Sequence, residues 1–150
     1  MSDPRTVSGG RHQAREVALQ VLYAIDLSDV WADPDRAAST GRVFDRVTEN
    51  FEVPPSAVSF ARELVSAVVE RTPAIDEILG VHARNWRVSR MAAVDRNVLR
   101  LAVYELRDTE TPIAVVIDEA VDLARRFGSD SSPSFVNGIL DAVAREVRAA

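Results

Sequence analysis

The sequence predicts an all-α protein, a compact bundle of about seven helices. Three observations carry this expectation. Apolar residues recur at three- and four-residue spacing along most of the chain, the period of a helix with one buried stripe. Thr72-Pro73, Thr111-Pro112 and Ser132-Pro133 read as helix starts, where a hydroxyl serves an orphan amide and proline lacks the amide that would go unpaired. No alternating run or two-residue turn marks a hairpin.

Residues 1–10 are polar, end on Gly9-Gly10 and show no apolar period, which predicts a flexible N-terminal arm ahead of a single domain over residues 11–150. The first helix follows, burying Ala14, Val17, Ala18, Val21, Leu22 and Ile25 and leaving Tyr23 off the stripe. Residues 26–52 are acidic and the least determined part of the chain, with a weak stripe at Val43, Phe44, Val47 and Phe51. Pro54-Pro55 ends that segment. A strong stripe then runs through Ala57, Phe60, Ala61, Leu64, Val65 and Val68. Thr72-Pro73 is expected to open a separate short helix through Ile75, Ile78 and Leu79.

The next helix holds Val94, Val98, Leu101, Ala102 and Leu106 on one side and Leu99 and Val103 on another, so it should be central. Ala114 to Ile117 is β-branched and strand-like by itself. Its continuation at helical spacing through Ala120, Val121, Ala124 and Phe127 decides for a helix, closed by Gly128 in a left-handed conformation. The last helix starts at Ser132-Pro133 and buries Val136, Ile139, Leu140, Val143 and Val147.

Composition narrows the function. Apolar content of 47% and charged content of 27% are those of an ordinary globular protein. No apolar run approaches the roughly 20 residues that span a bilayer, and the N-terminus lacks a signal-peptide core, so a cytoplasmic protein is expected. The absence of cysteine excludes disulfides, thiolate metal sites and cysteine nucleophiles. A formal charge of -5 argues against non-specific coating of nucleic acid but leaves room for a local basic site. All 18 basic residues are arginine, which a GC-rich coding sequence explains.

Catalytic chemistry finds no support. His12 and His82 are far apart in sequence and neither has a partner at metal spacing; no nucleophile or phosphate-loop motif occurs. Asp118, Glu119 and Asp122 share a helix, but acids favour the N-terminal half and Asp122 can pair with Arg126 one turn on, so a solvated acidic face explains them better than a metal site. Neither enzyme activity nor a cofactor is expected. Arg11 and Arg15 stand one turn apart at a helix start, with His12 and Gln13 between them, where unpaired amides also favour phosphate. By composition alone this patch is a short solvated basic face.

Three blocks change that weighting. Residues 117–140 (IDEAVDLARRFGSDSSPSFVNGIL), 94–106 (VDRNVLRLAVYEL) and 10–23 (GRHQAREVALQVLY) resemble, in order and spacing, the NusB family of bacterial transcription antitermination factors. The resemblance covers nearly the whole chain. It implies seven helices in two perpendicular three-helix halves. It also implies binding of boxA, a short single-stranded RNA element of nascent ribosomal RNA, together with NusE, a small-subunit ribosomal protein. The complex would act on the elongating RNA polymerase with other Nus factors.

Carried onto this chain, the RNA-binding positions are Arg11, His12, Arg15, Tyr23, Ser131, Phe135 and Asn137. Single-stranded RNA is read by stacking bases on aromatic rings, the role open to Phe135 and Tyr23. For both, ordinary packing is the competing reading. Asn137-Gly138 also has a structural reading, in which glycine permits a close helix approach and asparagine bonds nearby backbone. NusE binding falls on the helix carrying Asp95, Arg96 and Glu105, whose plain reading is a helix cap and solvated charges. An acidic chain suits a basic ribosomal partner.

The chain departs from the family at Ser131, where an acid is common; losing a carboxylate there should relieve repulsion of phosphate. His12 and Gln13 replace further arginines, which predicts fewer phosphate contacts and a shallower salt dependence. The family includes monomers and homodimers. Two rivals remain at this point. A helical interaction scaffold or a paralogue without boxA binding would keep the core stripes while Arg11, Arg15 and Phe135 proved dispensable. NusB-like domains also precede RNA methyltransferase domains, for which this chain has no room.

Overall fold

A computed structural model describes residues 4–83 and 86–148, with side chains from Gly10 onward. Six α-helices form: α1 (Pro4–Asp26), α2 (Arg36–Thr48), α3 (Pro55–His82), α4 (Ala93–Asp108), α5 (Ile113–Phe127) and α6 (Ser132–Val147). Short 3-10 turns occupy Val30–Ala32 and Val88–Arg90, and no strand occurs among the described residues. Residues 4–10, expected in a flexible arm, continue α1 backwards from its packed part. Propagating an existing helix adds a hydrogen bond for each residue fixed, and Pro4 at its first position has its φ set in advance.

The seventh helix is absorbed into α3. Thr72-Pro73 does not open a new helix: Pro73 lies inside one of 28 residues. Proline removes its own amide and its ring crowds the Val69 carbonyl, so that hydrogen bond is lost, while the helix continues on both sides. Contacts divide the chain into two compact units, Met1–Val69 and Glu70–Ala150. The division falls at the carbonyl that Pro73 cannot serve.

In the first unit α1 packs on α2 and on the intervening 3-10 turn. The six stripe residues expected in α1 are all buried, as are Val43 and Phe44 of α2. Acids organise the connection. The Asp35 carboxylate accepts from the Ala38 amide at 3.2 Å and caps α2. Asp33 accepts from the Asp35 amide at 2.9 Å, and this bond, with the Ser39 hydroxyl, holds its carboxyl below the usual range. Trp31 donates to Asp26 at 3.1 Å and lies under the Arg36 guanidinium. The acidic segment is thus largely committed to its own structure.

In the second unit α4, α5 and α6 pack against one another pairwise. From Asn97 to Leu106 only Tyr104 escapes burial, so α4 is central as expected. Its Arg100 makes a bidentate pair with Asp76 at 2.9 and 2.8 Å. At the other end of α4, the Arg148 guanidinium donates to the carbonyls of Leu106, Glu105, Thr109 and Thr111 at 2.6 to 3.2 Å. These include orphan acceptors of the last helical turn.

Two expectations about α5 are corrected. Its buried stripe is Val116, Ala120, Leu123 and Ala124, and Phe127 is 38% exposed. The start of α5 is apolar all round, so periodicity alone admitted a stripe rotated by one residue. Gly128 is extended rather than left-handed (φ -97°, ψ -161°). Glycine is needed there for space: a Cβ would meet Ser132 Oγ at 2.5 Å and the Ala124 carbonyl oxygen at 2.8 Å. Ser132 in turn serves not its own helix but the loop, accepting from the Ser129 amide at 2.9 Å while 1% exposed.

Candidate nucleic-acid and partner interface

With α1 beginning at Pro4, Arg11 and Arg15 lie inside the helix rather than at its start, and their surroundings differ. Arg11 is exposed, its guanidinium 5.0 Å from the centre of the Phe60 ring, so the aromatic face fixes the cation without neutralising it. Arg15 is corrected: expected beside Arg11 on the solvent face, it is only 3% exposed and engaged by neighbouring groups. The reason is position along a shared stripe. Arg15 shares a stripe with buried Ala18, Leu19 and Leu22, three, four and seven residues on, whereas Arg11 lies one turn further toward the N-terminus. His12 is half-buried and meets Glu16 at 3.0 Å, and Tyr23 is 40% exposed.

The start of α6 keeps its groups open. Ser131 is exposed, and its carbonyl accepts from the Phe135 amide and the Ser134 hydroxyl. Phe135 is half-buried, with its ring set edge-to-face against Trp86 at 5.8 Å between centres and 80° between planes. Trp86 itself is 57% exposed. Asn137 is exposed and bonds no backbone among the described residues. Gly138 permits no close helix approach: a Cβ there would meet nothing within 4 Å. Both structural readings of Asn137-Gly138 therefore fail.

The three partner positions on α4 behave differently from solvated charges. Glu105 is 3% exposed, on one stripe with Val98, Leu101 and Ala102, and so is withdrawn from any outer face. Arg96 donates to the carbonyls of Val88 and Met91 at 3.3 and 3.0 Å, tying the 3-10 turn to α4. Asp95 is half-buried, and its Oδ1 is buried with no hydrogen-bond partner, an acceptor left to be satisfied. Among the described residues no cluster of His, Asp and Glu has metal-holding geometry, and Asp122 pairs with Arg126 at 3.8 Å. No described helix is long and apolar enough to cross a membrane.

Residues 12–145 match the family model described as the NusB family. The chain belongs to the NusB family. The transcription antitermination protein NusB of Anaeromyxobacter dehalogenans is 45% identical over 135 residues, covering 89% of each chain. That of Myxococcus xanthus is 42% identical over 91% of this chain and 95% of its own. Among solved structures, T. maritima NusB superposes with a TM-score of 0.77 at 32% identity, over 97% of this chain and 94% of that one. A structure of antitermination factors NusB and NusE in complex with dsRNA matches with a TM-score of 0.75 at 32% identity, over 91% and 96%.

The NusB-like blocks were legible before the structure, but one aromatic was not. Trp86 lies in the connection between the apolar stripes, with none to place it. Its signal was the surrounding charge: residues 78–94 carry Arg84, Arg87 and Arg90 and no acid, in a chain of net charge -5.

Proposed function

We propose that this NusB-family protein is a transcription antitermination factor that binds boxA RNA as a complex with NusE. In the cytoplasm it holds nascent ribosomal RNA to the elongating polymerase with other Nus factors, and so supports processive rRNA transcription. It acts by assembly and catalyses nothing. The observation that carries this reading is likeness along the whole chain to NusB proteins, including one solved with NusE and RNA.

In this reading Arg11 supplies a phosphate contact from α1, with His12 and Tyr23 on the same helix. Phe135 offers an aromatic face, and Ser131 and Asn137 offer hydrogen-bonding groups at the α6 start. Arg15 holds α1 together rather than touching RNA, and Glu105 does the same for α4. Asp95, half-buried at the start of α4, faces NusE, and Arg96 fixes the turn beside it.

Fluorescence anisotropy of labelled boxA RNA tests this, with and without NusE, against a scrambled RNA and at two salt concentrations. The expected result is selective binding that strengthens with NusE and weakens in Arg11→Ala. Binding of NusE without selectivity for boxA would replace the reading with that of a protein-interaction scaffold.

A further inference from the structure

Trp86 carries an observation the family reading does not use. Burying an indole is worth more than burying almost any other side chain, yet Trp86 is 57% exposed. It is not loose on the surface, because it meets Phe135 of α6 edge-to-face at 5.8 Å. Arginines follow it closely in sequence, at positions 87 and 90. Arg87 and Arg90 are exposed and make no ion pair among the described residues, and no acid interrupts residues 78–94. A surface aromatic set among arginines is the chemistry of single-stranded RNA, with the ring for a base and the guanidinium groups for phosphates.

Gly138 gives an independent indication. It lies three residues after Phe135 and so on the same helix face. Glycine inside a helix costs about 0.5–1 kcal/mol relative to alanine. Here nothing in the fold repays that cost, since the space beyond its Cα is empty. What needs the gap lies outside the chain.

We infer that Trp86 stacks an RNA base beside Phe135, with Gly138 leaving the room for it and Arg87 and Arg90 contacting the adjoining phosphates. This rests on the RNA-binding reading and adds to it a second aromatic from the α3–α4 connection. A protein partner would also suit an exposed tryptophan. The exposed arginines of this run, with Glu146 of α6 spent on His82, favour a polyanion over the basic partner already proposed.

The test uses the full chain with Trp31→Phe, which leaves Trp86 as the one tryptophan, bound to NusE and titrated with boxA RNA. A second RNA carries abasic residues in place of the bases. Binding of intact RNA should quench Trp86 fluorescence, and abasic RNA should bind more weakly without quenching. Trp86→Ala should lose roughly ten-fold in affinity for intact RNA and little for abasic RNA, while Trp86→Phe keeps most of the affinity. Gly138→Leu, for which the fold has space, should unfold no earlier than wild type yet bind RNA about ten-fold more weakly.

Unchanged fluorescence on binding, or wild-type affinity in Trp86→Ala and Gly138→Leu, would overturn the inference and leave the boxA reading standing. Loss of NusE binding in Trp86→Ala, with RNA binding intact, would overturn it in favour of a protein surface. Failure of the Trp31→Phe chain and of wild type to bind boxA with NusE would instead remove the reading on which it rests.

Discussion

The stretch of α1 from Arg11 to Glu16 and the start of α6 use polar residues differently. At α1 the fold consumes them: Arg15 is buried and engaged, and His12 is paired with Glu16. Among the described residues there, Arg11 keeps an exposed charge, held over Phe60. At α6 the fold takes Ser132 for the preceding loop but leaves Ser131 and Asn137 exposed, and Phe135 shares its edge with an exposed tryptophan. A patch that looks basic in sequence can therefore be partly a core feature. A patch with little charge can be the more open surface. The comparison also separates stability from recognition, because substitutions in the two stretches should affect different measurements.

Arg15 should give the largest effect. Arg15→Ala removes a buried guanidinium and strands the groups that engage it, so the expected loss is about 3 kcal/mol of folding stability. Urea denaturation measures it. Arg11→Ala, one turn away, should stay within about 1 kcal/mol because its cation–π contact is exposed. Equal stability losses for the two would erase the distinction drawn within α1.

The two glycines flanking the α6 start come next. Gly128→Ala forces a Cβ to within 2.8 Å of the Ala124 carbonyl oxygen and against Ser132, which is itself held by the Ser129 amide. A loss of about 1–3 kcal/mol is expected. Gly138→Ala meets open space and should stabilise the chain by about 0.5–1 kcal/mol. Thermal unfolding of both variants checks the opposite signs.

Arg11→Ala then tests recognition at α1. Removing one phosphate contact should reduce the slope of log affinity against log salt by about 0.7, the single-strand value. Arg15→Met, which keeps volume while removing the charge, should leave that slope unchanged. A fall in slope for Arg15→Met would return Arg15 to the RNA surface despite its burial.

The core was largely legible in the sequence, because burial follows periodicity. The stripes of α1 and α4 were readable from spacing alone, as was most of that of α6. What escaped depends on atoms distant in sequence. Pro73 looks like a helix start, but one missing amide does not outweigh the helical turns on each side of it. Gly128 looks like a left-handed cap, whereas its cause is the Ser132 side chain four residues on. Arg15 falls on the same helical period as the core, but basic character outweighed register in the sequence reading. Trp86 had no stripe to place it, and only the contact with Phe135 joins it to the α6 surface.

The smallest effect asked of this comparison is at Ser131, where two consequences of one charge should have opposite signs. Ser131 immediately precedes α6 and makes no side-chain cap. Ser131→Asp places a carboxylate against the positive end of the helix dipole, which favours folding by about 0.3–1 kcal/mol. The same carboxylate faces any phosphate bound at that helix start and should weaken boxA binding by a similar free energy, roughly two- to five-fold. Added salt should shrink both effects, since both are exposed electrostatic interactions. Greater stability with equal or tighter RNA binding would mean that phosphate does not approach the α6 start, and would leave recognition to the aromatic faces alone.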